Sequence, residues 1–568
     1  MSERNRRPDT GEEASRSGQT RDQGEDCGVS RRRFVAGTAG YAIALGSGVA
    51  LPGCGGGGES AGERFGYGVA SGDPLSDRVI LWTRVNVSAP TEVQWEAATD
   101  SAFANVVRSG TATTNSDRDY TVKVDATGLQ PGTTYFYRFR HGSEVSRTGK
   151  TRTLPVGQPQ QVRFAVFSCA AFSVGQFHVY NHAANRGDFD VALMLGDYIY
   201  ETGLSTLEQA AATAIGREID PRGELHVLSE YRQRYARYHT DADLRALRAT
   251  MPIIAVWDDH EIANDVWRDG AGGHDASEGS FIERRAAAVR AWHEWLPTRG
   301  GTDPLKIYRS FNFGNLLSLH MLDARVIGRD APLTRESYLA GAAADPNRQM
   351  LGAEQAAWLT GQMQASNATW QMLGQQVLMG RMRIPVSVFD NFSEESITRF
   401  LRAVDTAEAV RTPEQQALVA QPRIGHDLTT WDSFEAAREN VLASARTLDK
   451  NLVVLSGDSH NAWANDLKDA AGRNVGVEFA TPSVTSTGLE QKHSNVGPQF
   501  LADSFMRMMP DLRYAQTSRR GYLIVTLTPA AATADWVFVS SVFENSYSAS
   551  AGASLRTLPG SGNRSLVA

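Results

Sequence analysis

The chain has 568 residues, with 57 basic and 64 acidic side chains and a net charge of −7. At about 150 residues per domain this length allows two to four domains, and a composition of 41% hydrophobic and 21% charged residues excludes wholesale disorder. Scattered glycines and missing heptads exclude collagen-like and coiled-coil designs, three cysteines exclude a disulfide framework, and mild acidity argues against a nucleic-acid binder.

Residues 1–29 are polar, with almost no large apolar side chain, and read as a disordered tail. Ser30-Arg31-Arg32-Arg33-Phe34-Val35 follows, a twin-arginine pattern centred on Arg31 and Arg32. The apolar run 34–51 is diluted by Gly37, Gly40, Gly46 and Gly48, whereas a spanning helix wants about 20 strongly apolar residues. The segment therefore reads as an export signal, since its glycines oppose a buried N-terminal helix. Leu51-Pro52-Gly53-Cys54 resembles a lipobox with an unusual Pro, so Cys54 is a candidate for lipidation and membrane attachment, with residues 55–62 as a flexible tether. The expected route is the twin-arginine translocase, which carries folded proteins. The product is an envelope-anchored lipoprotein in preference to a soluble secreted or periplasmic protein. Cys27 leaves with the signal, and Cys169 remains.

Residues 63–156 carry strand signals: the β-branched run 79–85, the alternating segments 92–97 and 120–124, and a Pro-Gly turn feeding residues 133–139. They predict an all-β fibronectin III or immunoglobulin-like sandwich that positions the next domain. From 161 to 545 strands alternate with helices. Residues 162–167 end at Ser168-Cys169, 190–195 at Gly196-Asp197, and 252–257 at Asp258-Asp259-His260. Residues 316–322 end at Asp323-Ala324-Arg325, and 452–455 lead to Gly457-Asp458-Ser459-His460. Helices are expected at 354–363 and 433–445, substrate-shaping excursions at 202–230, 328–350 and 380–427, and a frayed tail at 546–568.

Ligands of α/β sheets sit beyond the carboxyl ends of strands. One Asp after a strand is ordinarily a cap or turn residue. Five such ends carrying Cys, Asp, Tyr and His are not explained as caps, because burying so many charges without counter-ions costs several kcal/mol each. Bound cations remove that cost. Asp197 and Tyr200, three apart, can be aimed at one point by a strand-to-loop turn. Asp458 and His460, two apart, would share a face in extended backbone. Cys169 and His460 are softer donors, and Asp197 could bridge two ions. Two metals about 3.5–4 Å apart are the usual engine of phosphoester hydrolysis.

These strings, with Gly66-Tyr67-Gly68-Val69-Ala70-Ser71-Gly72-Asp73-Pro74, Leu195-Gly196-Asp197-Tyr198-Ile199-Tyr200-Glu201 and Trp257-Asp258-Asp259-His260-Glu261 followed by Asn264, resemble the PhoD-like alkaline phosphatases. That family lies within the calcineurin-like, purple-acid-phosphatase-like metallophosphoesterases. The resemblance implies a four-layer α/β/β/α metallophosphatase sandwich behind the β-domain, with Fe3+ and Ca2+ as cofactors. Carried over, Cys169, Asp197, Tyr200 and His460 would hold iron. Asp197, Asn264 and Asp458 would hold the adjacent calcium, with Asp259 near. Trp431-Asp432-Ser433-Phe434 stands where the family has Trp-Asp-Gly-Tyr, which makes Asp432 the candidate for a second calcium site. Ser-Cys and Asp-Asp-His replace the superfamily's Asp-x-His and Gly-Asn-His, as in the PhoD-like branch.

The expected activity is hydrolysis of phosphate esters by a metal-activated hydroxide or oxide, releasing inorganic phosphate. His260 would steady the transition state or protonate the leaving oxygen, against a purely structural role. Arg325 would bind a phosphoryl oxygen, against an ion pair with Asp323. Asp258 is read as support for the loop. Phosphodiesterase or phospholipase D-type activity on the same scaffold is the alternative. Behind it stands a non-enzymatic exported binding protein with structural metals.

Overall fold

A computed structural model describes residues 64–567. Arg31, Arg32, Cys27 and Cys54 lie outside the described residues. Among the described residues no helix is long and apolar enough to cross a membrane.

The strands Val162–Phe167, Val191–Met194 and Ile253–Ala255 lie parallel at the centre of a nine-stranded sheet. Their near-continuous apolar sequences suit strands covered on both faces. A second, seven-stranded sheet carries Leu317–Met321, Trp370–Gly374, Leu452–Ser456 and Asn474–Ala480 as parallel neighbours. The sheets face one another. Phe164 of the first meets Phe313 of the second edge-on at 5.3 Å, and Trp536 of the first meets Phe479 at 6.0 Å. Helices His178–Arg186, Leu228–His239, Ala242–Thr250 and Phe281–Trp295 pack on the first sheet. Gly352–Ala365 and Glu435–Thr447 pack on the second. This is the expected four-layer order.

The β-region before residue 156 is joined to this body more intimately than a self-contained sandwich would be. Its strands Val69–Gly72, Arg78–Arg84 and Thr121–Thr127 extend the nine-stranded sheet, with Gly72 pairing in parallel with Ile253. A Cβ on Gly72 would stand 2.4 Å from the Pro297 carbonyl and 2.6 Å from that of Ile253, so only glycine permits the junction. A separate five-stranded sheet closes over these strands around Val79, Leu81, Val93, Val122 and Tyr137. Tyr135 Oη accepts the Gln130 amide at 2.8 Å, a tyrosine corner of the kind seen in immunoglobulin-like folds.

Lys123 crosses the same junction, donating to the carbonyls of His293 and, at 3.0 Å, Thr298. Burial pulls its pKa down to about 8, against the pull of Asp73 and Glu294. The unfolded chain holds this proton up to about pH 10.4, so between these values the unfolded state binds more protons than the folded one. Stability is therefore expected to rise from about pH 8 towards pH 10. Lys123→Met removes that slope, as read from urea midpoints across the range.

Two expectations change. The tail at 546–568 contains Ala549–Thr557, the outermost strand of the nine-stranded sheet, and the Val567 backbone bridges back to Arg556. An edge strand has one neighbour and one covered face, so Ser and Gly suffice there. The segment 380–427 forms a small helical unit. Its helices Val386–Asp390 and Glu394–Asp405 and its ribbon Arg383–Pro385/Arg423–Gly425 pack on Pro498–Met508.

Candidate metal centre

The strand ends turn sharply. Cys169, Asp197, Asp458 and His460 have φ of 61°, 53°, 55° and 60°. Left-handed conformations at non-glycine residues cost about 1–3 kcal/mol each and persist where the surroundings over-determine them. Close approach of the turns explains the neighbouring glycines. A Cβ on Gly196 would lie 2.2 Å from Asp258 Cβ, and one on Gly457 would lie 2.3 Å from Ser168 Oγ. Asp458 and His460 consequently do not share an extended face. They occupy a left-handed turn between Leu452–Ser456 and Ala462–Lys468 and point to different groups of donors.

Three such groups form a chain. Cys169, Asp197 and His460 each offer an atom within 4.8 Å of the others. So do Asp197, Asp259 and His260, and so do Asp258, Asp259 and Asp458. Asp197 belongs to the first two and Asp259 to the last two. Tyr200 Oη donates to Asp197 Oδ2 at 2.9 Å and lies 3.3 Å from His460 Nε2, with Ser486 Oγ 2.6 Å away. The Thr487 carbonyl lies 2.6 Å from His460 Nδ1 and can only accept, so Nδ1 carries the proton and Nε2 presents its lone pair.

The electrostatics fit cations. Burial, then the Asp197 charge, pushes the Cys169 thiol well up. The same two causes push up the Tyr200 phenol. Burial raises Asp197 and Asp258 well above the carboxylate range, although His260 and Arg325 respectively pull them down. Asp197 Oδ1 and Asp258 Oδ2 are buried with no hydrogen-bond partner. A buried thiol, a phenol, an imidazole lone pair and four acid groups, two of them with an orphaned oxygen, are a donor set for hard and borderline metal ions.

Arg325 is wholly buried among these acids. Its Nε bonds Asp258 and its NH2 bonds Asp458, with Asp259 at 3.7 Å. The alternative pairing with the Asp323 carboxylate does not occur, because Asp323 Oδ1 accepts the amides of Arg325 and Val326, each at 2.8 Å. His260 Nδ1 lies 2.7 Å from Glu201 Oε2, and its ring lies over Tyr200 at 4.1 Å between centroids. Burial pushes His260 down, but Glu201, Asp197 and Asp259 outweigh it and hold the ring well above its usual pKa. Asn264 sits at the margin of the acid cluster. Its amide donates to Glu201 Oε1 at 2.8 Å and its side chain to Asp265 Oδ2 at 3.1 Å.

Glu261 has no role in the sequence reading. Its Oε2 accepts the amides of Asp197 at 3.0 Å and Asp258 at 2.7 Å, clamping two strand ends together, while burial raises it to about 7. The signal lies in the Trp-Asp-Asp-His-Glu string, whose final acid is the clamp and not a ligand. Asp265 is a further, half-buried acid, whose amide donates to Asp259 Oδ2 at 2.7 Å. Glu224, His226 and Glu278 also gather, but Arg284 lies against both glutamates, at 2.8 and 3.1 Å.

Asp432 belongs to none of these donor groups: its Oδ2 accepts the Met382 amide at 2.7 Å and its Oδ1 accepts Arg383 Nε at 2.8 Å, so it anchors the start of the helical unit. Asp432→Asn is expected to lower stability by about 2 kcal/mol, the worth of a charge-assisted bond, without changing calcium content. Denaturant unfolding alongside metal analysis checks both parts.

The profile of the PhoD-like phosphatase family matches residues 164–536, and that of the PhoD-like phosphatase N-terminal domain matches residues 54–155. Alkaline phosphatase D of Bacillus subtilis (strain 168) is 33% identical over 499 residues, 83% of this chain and 77% of the relative. The solved structure of PhoD superposes with a TM-score of 0.72 at 30% identity, covering 90% of this chain and 93% of that one.

Proposed function

The chain belongs to the PhoD-like phosphatase family and is a phosphoric ester hydrolase; from that premise we propose that it is an exported, metal-dependent enzyme of the alkaline phosphatase type, using iron and calcium to release inorganic phosphate from phosphate esters. The observation that carries this reading is the chain of three donor groups linked through Asp197 and Asp259. The thiol of Cys169, the phenol of Tyr200, Asp197 and His460 suit a trivalent iron. Asp197, Asn264 and Asp458, with Asp259 beside them, suit calcium, which takes oxygen donors. When bound, the cations would supply neutralisation of the phosphoryl oxygens and acidification of water.

The protein's own groups divide the remaining work. Glu201 holds His260 by Nδ1, so Nε2 is the ring nitrogen left to face Asp197 and Asp259. An imidazolium there can give its proton to the departing alcohol oxygen. Arg325 is a positioning residue. It fixes the Asp258 and Asp458 carboxylates and partly offsets their repulsion. Glu261 holds the turns that carry Asp197 and Asp258. Arg31 and Arg32 support delivery through the twin-arginine translocase and Cys54 supports a lipid anchor in the cell envelope.

Metal analysis of protein purified without chelator, paired with turnover of p-nitrophenyl phosphate and its bis-ester, tests the proposal. Iron together with calcium and phosphate release is the expected result. Zinc alone, or metal without turnover, would overturn it. Preference for the bis-ester would redirect it to diesters.

A further inference from the structure

The strand Trp370–Gly374 runs parallel between Leu317–Met321 and Leu452–Ser456 in the second sheet, and its end lies against the first sheet. A Cβ on Gly374 would stand 3.6 Å from Leu195 Cδ2. Two residues on, Gln376 is wholly buried, and its side chain spans the gap between the sheets. Nε2 donates to the Trp257 carbonyl at 2.7 Å and to the Leu322 carbonyl at 3.0 Å, and Oε1 accepts the Ala324 amide at 3.0 Å. The Gln376 carbonyl accepts the Gly457 amide at 2.7 Å. Carbonyls only accept and the Ala324 N–H only donates, so these partners determine which way the side-chain amide is turned.

The contacts fall in a pattern. Trp257, Ala324 and Gly457 immediately precede Asp258, Arg325 and Asp458. Those are the guanidinium and the two carboxylates that it joins. Asp258 and Asp458 belong with Asp259 to one donor group, and they follow strands of different sheets. Ladder hydrogen bonds run within a sheet, so they do not set the separation of the two sheets. Arg325 joins the carboxylates through a long, flexible side chain, whereas Gln376 holds the backbone from which all three groups project. An amide offers two N–H donors and an acceptor from one rigid plane, which neither a carboxylate nor a thioether does.

We propose that Gln376 is a positioning residue of the metal centre: it fixes the spacing between the Asp258–Asp259 turn of the first sheet and the Asp458 turn of the second, and so governs how firmly metal is held between them. This rests on the metal centre proposed above. Groups that orient ligands from behind are worth about 10- to 100-fold in metal affinity. Gln371 is the internal comparison. It lies on the same strand and is equally buried. Its Oε1 lies 3.0 Å from His320 Nε2 and its Nε2 donates to Ser366 Oγ at 2.7 Å, neither partner being next to a donor in the chain.

The test reads metal release. Wild type, Gln376→Met and Gln371→Met are purified without chelator and then placed in EDTA, and the metal still bound is followed over time by elemental analysis. Urea midpoints are expected to fall in both variants, since each leaves buried partners unsatisfied. Metal release is expected to quicken by at least about tenfold in Gln376→Met and to stay within about twofold of wild type in Gln371→Met. Gln376→Glu keeps the acceptor for the Ala324 amide and loses the NH2 group, and it is expected to quicken release as well. If Gln376→Met does not fold, Gln376→Glu decides the matter. Release at the wild-type rate, or equal quickening in Gln371→Met, overturns the inference while leaving the centre in place. Wild-type protein that carries no metal overturns the centre itself, and the inference falls with it.

Discussion

Asp197→Ala is expected to lower kcat by at least about 10³-fold, roughly 4 kcal/mol of transition-state stabilisation, while the protein stays folded. Asp197 belongs to two of the three donor groups, and among the described residues no other carboxylate joins the Cys169–His460 pair. Its Oδ2 accepts the Tyr200 hydrogen bond and its Oδ1 has no partner, so its loss disconnects the thiol and phenol side of the centre from the acid side. The fold should tolerate the change, because burial penalises this carboxylate and His260 offsets that only in part. Metal analysis should show iron lost with activity, and circular dichroism should show an unchanged fold. Near-normal turnover would remove the basis of the proposed site.

Gly196→Ala is expected to cost about 3 kcal/mol of stability, with activity lost alongside. The residue has φ of 104°, and the added Cβ would meet Asp258 at 2.2 Å from Cβ and 2.6 Å from the backbone nitrogen. Overpacking against backbone costs about 1–3 kcal/mol, and the strained φ adds about 1 kcal/mol or more. Any relaxation moves Asp197 or Asp258, the two residues whose amides Glu261 clamps. Gly216→Ala is the control. It too has positive φ, at 70°, but meets nothing within 4 Å, so it should lose only about 1 kcal/mol. Urea unfolding of both variants separates the clash from the conformational cost.

The sequence made the donors legible because each follows an apolar strand, and the end of such a strand is where α/β sheets place chemistry. Less legible was how the donors are held. Spacing alone put Asp458 and His460 on one extended face, and the left-handed turn that separates them leaves no compositional mark. Arg325 stands beside Asp323 in sequence, yet its partners come from residues 258 and 458, contacts that only the tertiary fold creates. Asp432 follows Trp431 as in the family's string although Ser433 and Phe434 depart from it, and its bonds to Arg383 and the Met382 amide, which spacing could not show, tie it to the helical unit. The strand Trp370–Gly374 was missed because its five residues, WQMLG, include a buried polar Gln371 and end in glycine.

The nine-stranded sheet has a consequence for biosynthesis. Val162–Phe167 is flanked by Val191–Met194 on one side and by Gly521–Leu527 on the other, while the ends of the sheet come from residues 121–127 and 549–557. No nascent fragment that lacks residues 521–527 contains a complete sheet, since that strand covers the edge of Val162–Phe167. Nascent chains must carry an open β-edge until residues 521–557 have emerged, which makes chaperone cover and slow closure part of this architecture. Deleting the final strands should therefore yield inclusion bodies in place of a shortened enzyme.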